Sequence, residues 1–187
     1  IAFYKALHDA GLTPEKVPVV SVSIGEEELR TLSREDLAGQ YLAWSYFQSM
    51  ETAENATFVE AFRRRYGAER VTSDVIETAY FSVHLWSVAV AEAGTTDVDV
   101  VREAMLGQSF NAPEGIVSVD PATRHTWRSF SMGRVRDDGQ IEIVWTSAKP
   151  IRPIPYPTSR TRDAWDAFLA DLHAQWGGSW ANPVEAQ

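Results

Sequence analysis

The sequence predicts an α/β fold, a parallel sheet flanked by helices with a β-hairpin added late in the chain. Three observations carry that expectation. Short apolar runs of strand length alternate with segments of helical period over the first fifty residues. Three helices with short joins then follow one another. Beyond residue 107 the helical period gives way to short strands around a hairpin signal.

Taken in order, Phe3, Leu7 and Ala10 mark one face of a helix that Gly11 is placed to end. Val17 to Ser23 reads as a short strand buried on both faces, as in parallel sheets. Ile24 and Gly25 then lead into Glu26, Glu27 and Glu28, acidic residues that suit the first turn of a helix. Gln40 to Phe47 is a second strand, rich in aromatics. Thr52 caps the next helix, with Asn55 where a Glu is usual and Phe58, Val59, Phe62 and Tyr66 as its apolar stripe. Ser73 opens a long apolar helix to Ala93, read as a buried core helix that stops at Gly94. Asp97 caps a third helix, ending near Gly107.

Later, Ile116 to Val119 forms a short strand, and Arg128 to Arg136 and Gln140 to Ser147 flank the turn signal Asp137-Asp138-Gly139. Trp165, Phe168, Leu169, Leu172 and Trp176 define a final amphipathic helix, closed by Gly177 and Gly178 and followed by a loose tail. The chain opens at Ile1 inside a helical pattern, without initiator Met, leader or signal peptide, and so reads as a piece of a longer protein.

Composition narrows the function classes. The 187 residues carry a formal net charge of −9, and the one dense basic run, Arg63 to Arg65, fits a solvated helix face. Phosphate neutralisation needs clustered Lys and Arg, so nucleic acid is not an expected partner. No apolar run reaches membrane-spanning length. The absence of cysteine removes disulfides, thiolate catalysis and Cys-ligated zinc. The histidines His8, His84, His125 and His173 lack metal-ligand spacing, and His84 is expected as a hydrogen-bonded core residue. Neither a cofactor nor a metal is expected. Asn55-Ala56-Thr57 matches a glycosylation sequon, a weak pattern. An amide hydrolase with Ser23 as nucleophile and Glu26 as base would lack the Lys or His that activates such a serine. The chain is therefore not expected to be an enzyme.

An ordered series of motifs adds a resemblance. Phe3 to Leu7 (FYKAL), Pro18 to Leu29 (PVVSVSIGEEEL), Ala43 to Ser49 (AWSYFQS), Glu77 to Tyr80 (ETAY), Ala112 to Gly115 (APEG), Val119 to Pro121 (VDP), His125 to Trp127 (HTW) and Pro150 to Tyr156 (PIRPIPY) occur in one order. Together they resemble the substrate-binding proteins of urea and short-chain amide ABC transporters. The amide-sensing cytoplasmic regulator of amidase operons is a relative in the same fold and stands as the alternative.

The resemblance implies the C-terminal part of a two-lobe type I periplasmic binding protein, with most of the N-terminal lobe absent. Residues 1–47 and 108–157 would form the C-terminal lobe, 48–107 a helical segment completing the N-terminal lobe, and 158–187 the amphipathic helix and tail. It implies an extracytoplasmic protein, a periplasmic one or a membrane-anchored lipoprotein, that takes a small polar ligand, urea or a short-chain amide, and delivers it to an ABC transporter permease.

Site expectations follow. Ligands of parallel α/β sheets sit beyond the carboxyl ends of strands, at helix N-termini. There the Ser23 hydroxyl and Gly25 N–H would meet an amide carbonyl beside Ile24, and Glu26 would accept from an amide N–H. Ser23 and Glu26 serve equally as caps of the following helix. Tyr80 matches a position that lines the cleft in the wider family, though its apolar neighbours suit a core residue. Tyr46 and Phe47 would be hinge residues. A piece lacking one lobe is expected to bind ligand weakly or not at all, and its copies are expected to self-associate.

Overall fold

The computed structural model describes residues 2–32 and 34–181; Ile1 and the end of the tail lie outside the described residues. The chain divides into two units, Ile1–Arg152 and Pro153–Gln187.

Among its described residues the larger unit holds two sheets. Helix α1 (Ala2–Asp9) ends at Gly11, whose φ of 67° is the left-handed conformation that glycine adopts without a Cβ penalty. Strand β1 (Val20–Ser21) precedes two single-turn helices, α2 (Glu26–Leu29) and α3 (Arg34–Leu37), and then strand β2 (Tyr41–Trp44). Later come β6 (Ser131–Val135) and β7 (Ile141–Thr146), joined through the expected turn, with Gly139 at φ 79°. These strands form one sheet in the order β1-β2-β6-β7. Only β1 and β2 run parallel; β6 lies antiparallel to both β2 and β7.

The sheet is therefore mixed, correcting the expectation of a parallel one. The hairpin is no appendage: its first strand pairs directly with β2, and such long-range pairing leaves no local mark in sequence. The strand expected across 17–23 contracts to two residues at the sheet edge. Its neighbours are exposed, Val22 at 69% and Val17 at 42%, so it is not buried on both faces.

Helices α4 (Ala53–Tyr66), α5 (Asp74–Ala93) and α6 (Val98–Ala104) form where expected, although Ser73, at the start of α5, makes no side-chain capping bond. The Thr52 hydroxyl accepts from Asn55 N–H, Asp97 accepts from Asp99 and Val100 N–H, and Gly94 closes α5 in the left-handed region. Strands β3 (Ser109–Ala112), β4 (Gly115–Val119) and β5 (Thr126–Trp127) make a second, antiparallel sheet.

Two hydrophobic clusters result. One gathers Tyr4, Ile24, Leu37, Leu42, Phe47, Val135 and Ile141. The other joins Phe81 and Leu85 of α5 to Ala112, Val117 and Val119. The strands at 109–127, grouped by sequence with residues 1–47, thus pack on α5, and only 131–146 return to the β2 sheet. Helix α5 is also not buried all round: Val75, Val83 and Trp86 are exposed, Trp86 at 48%.

In the smaller unit, α7 (Arg162–Gln175) is capped by Thr161 and carries the expected aromatics. The Trp165 indole donates to the Pro157 carbonyl (2.7 Å), and the Arg160 guanidinium lies over the Trp165 and Phe168 rings.

Candidate functional site

Beyond the carboxyl end of β1 the chain makes a loop, Ser21 to Gly25, fixed at successive points. Ser23 N–H donates to the Ser21 hydroxyl (3.2 Å). The Ile24 carbonyl accepts from the Trp44 indole of β2 (2.6 Å), and Ile24's side chain is buried in the first cluster. Gly25 N–H donates to the Glu28 carboxylate (2.9 Å), closing the first turn of α2 on itself. That bond engages the N–H expected to meet a ligand carbonyl, so Gly25 supports the loop and offers no free donor there. The Ser23 side chain is exposed.

Glu26 also departs from expectation. Its Oε1 accepts from Gln48 N–H (2.5 Å), while Oε2 is buried without a hydrogen-bond partner among the described residues. Loss of hydration, with Asp74 and Glu28 adding repulsion, pushes this carboxyl up to about 7 despite the Gln48 bond. Instead of facing outward, Glu26 ties the start of α2 to the segment leaving β2.

That segment is densely bonded. Tyr46 and Phe47 are both fully buried. The Tyr46 hydroxyl donates to Asn55 Oδ1 and contacts Thr72 Oγ1, each at 2.7 Å, and burial holds the phenol above its ordinary value. Asn55 Nδ2 donates to the Gln48 and Met50 carbonyls (2.9 and 2.7 Å). With its amide engaged and its side chain buried, Asn55 is a loop brace and not an exposed sequon. Gln48 Oε1 accepts from Thr72 N–H (2.8 Å).

Sequence reasoning missed the neighbouring charge cluster. Arg128, between β5 and β6, reaches Asp74 (2.9 Å) and Glu77 (3.1 Å) at the start of α5, and Glu114 in the β3–β4 turn. It also donates to the Thr78 hydroxyl (2.7 Å) and lies over the Phe81 ring. Three carboxyls share one guanidinium. Burial, with repulsion from Glu114, pushes Glu77 up to about 8 although Arg128 opposes the shift. Glu114 moves up for the same first reason. The available signal was Asp74 and Glu77, one turn apart in an apolar helix, which need a counter-ion when buried.

Tyr80 stands apart from the loop. Six residues beyond Asp74, it lies about 9 Å along α5 and about 120° around it. Its ring packs on Phe58, His84 and Phe110, and it borders an apolar groove of about 440 Å³ with Phe62, Tyr66, Val75 and Ile76. His84 stacks on Phe110 at 4.7 Å with planes 6° apart, an aromatic contact in place of the expected hydrogen-bonded core role.

A model of the periplasmic binding protein domain matches residues 1–162, and the chain belongs to that family. A solute-binding protein of an ABC transporter from Rhodopseudomonas palustris HaA2, solved in complex with p-hydroxybenzoic acid, superposes with a TM-score of 0.71. It is 24% identical, over 84% of this chain and 44% of that one. A counterpart from Rhodopseudomonas palustris BisB5, in complex with 3,4-dihydroxybenzoic acid, gives 0.70 at 22% identity, over 81% and 43%.

Among curated proteins, the Leu/Ile/Val-binding protein homolog 6 of Brucella suis biovar 1 is 29% identical, over 74% of this chain and 37% of its own. A Geobacillus stearothermophilus protein named limonene hydroxylase is 32% identical over 68% of this chain and 23% of its own. The chain thus spans less than half the length of each of these relatives. Among the described residues, no helix is long and apolar enough to cross a membrane.

Proposed function

We propose that this chain supplies one wall of the cleft of an extracytoplasmic solute-binding protein, which captures a small polar solute and delivers it to an ABC permease. The observation that carries the reading is the loop at the end of β1, where an exposed Ser23 hydroxyl rides on backbone held by Ser21, Trp44 and Glu28. Preorganised donors of this kind bind small polar groups without an ordering cost. The second wall would lie in a facing lobe, outside these residues. Tyr46 and Phe47 act as a hinge in this reading, and capture proceeds by closure without covalent chemistry.

For the ligand, urea and short-chain amides are the first candidates, on the strength of the motif series from Phe3 to Tyr156. Ser23 is the residue assigned to direct contact; Ile24, Gly25 and Glu26 shape the loop behind it. The aromatic acids and branched-chain amino acids in the relatives' names make a second panel. Binding to the folded state raises its apparent stability, so a ligand-shift melting screen tests the reading. A rise in melting temperature with acetamide, formamide or urea, without loss of the compound, supports it. Turnover of any of these replaces it with an enzyme.

A further inference from the structure

The chain passes between its two hydrophobic clusters at the end of β2, residues 45–52, between β5 and β6, residues 128–130, and again after β7, where Ile151 pairs with Arg128 and Arg152 reaches Asp120. One carboxylate gathers the first two. Asp74 Oδ2 accepts from Ser45 N–H (3.1 Å), from Tyr46 N–H (3.0 Å) and from Arg128 Nη2 (2.9 Å). Asp74 opens α5, which belongs to the second cluster, whereas Phe47, directly after the held amides, belongs to the first. Arg128 is itself fixed by Glu114 in the β3–β4 turn and by Glu77 one turn further along α5. These charge-assisted bonds are largely removed from solvent, where they are strongest.

We infer that Asp74 and Arg128 are the positioning pair of the hinge: by joining two of the three passages at one point, they set the angle between the clusters and hence the geometry of closure. The inference rests on the hinged-capture reading, but its test uses no ligand. A bond network of this sort confines the passages to one arrangement, because local opening requires several bonds to break together.

The chain has no cysteine, so Ala6→Cys on α1 and Ser87→Cys on α5 introduce the sole labelling sites. Spin-label distances between them report the angle between clusters. One narrow distribution is expected for the otherwise wild-type chain, and a broad or two-peaked one with Asp74→Asn. Amide exchange at Ser45 and Tyr46 should quicken about ten- to a hundredfold in that variant. Arg128→Lys keeps the charge but not the fork, and should give intermediate broadening. If Asp74→Asn does not fold, Arg128→Lys decides by the same distances. A distribution unchanged in a folded variant, or a wild-type distribution already as broad, overturns the inference. Either result leaves solute capture standing, since that is judged by the melting screen.

Discussion

The indole of Trp44 donates to the backbone carbonyl of Ile24 at 2.6 Å, linking the central strand β2 to the loop beyond its parallel neighbour β1. Because β1 has only two residues, this bond adds a further tie between the loop and the sheet beyond the short strand ladder. Trp44→Phe should lower stability by about 1–2 kcal/mol, from the lost bond and reduced packing. Guanidinium unfolding is the appropriate measurement, since urea is a candidate ligand. An unchanged midpoint would mean that the loop is held by other means.

Glu26 makes a pH-dependent prediction. Its carboxyl has an ordinary value of 4.5 and is raised by burial to about 7 in the folded chain. Between those values the folded state binds more protons than the unfolded one, so this contribution to stability is full below pH 4.5 and fades as pH rises to 7. Glu26→Gln should remove a decline on the order of 1–3 kcal/mol over that interval. Unfolding free energies of both proteins at several pH values test this, and parallel slopes would refute it.

The charge cluster yields an asymmetric pair. Arg128→Met leaves the buried carboxyls of Asp74 and Glu114 without their counter-ion and should cost about 3–5 kcal/mol. Glu77→Gln should cost less than about 1 kcal/mol at pH 7, because burial already keeps Glu77 mostly protonated there. Denaturation of the two variants side by side distinguishes them; equal losses would contradict the protonated state.

Gly133 sits at the β-bulge where β6 meets β7. A Cβ there would come within 2.3 Å of Ile141 Cγ2 and 3.1 Å of Phe47 Cζ. Gly133→Ala should therefore destabilise by about 1–3 kcal/mol through overpacking. Ile141→Ala in the same chain should recover part of that loss, measured against Ile141→Ala alone.

The uncovered face of α5 predicts association. Val75, Val83 and Trp86 are exposed on it, and patches of this kind drive protein contacts. Sedimentation velocity across a concentration series should give a rising weight-average mass, and Trp86→Lys should suppress the rise. A monomer at every concentration would count against it.

Elements set by local chemistry were legible in the sequence. Thr52, Gly94 and Asp97 bound their helices as expected, and Asp137-Asp138-Gly139 turns the hairpin, because each signal acts within a few residues. Strands β3 and β5 and the antiparallel seating of β6 on β2 were not legible, since they depend on partners far along the chain. The same reason hid part of the site's support. Ser23, Ile24, Gly25 and Glu26 were picked out as one loop; Glu28, three residues beyond Gly25, stands at the local spacing of a capping partner, whereas Gln48, 22 residues from Glu26, leaves no sign that it turns Glu26 inward. Arg128 escaped notice because its partners lie 14 to 54 residues away.

The most direct test of the central claim is an amide-proton and nitrogen chemical-shift titration of this chain with acetamide. With one wall of the cleft present, weak binding is expected, with shifts growing over a millimolar range at Ser23, Ile24, Gly25 and the Trp44 indole. Shifts confined to the Phe58–Tyr80 groove, or to any residues other than those of the β1 loop, would contradict the assignment of the β1 loop as the ligand wall.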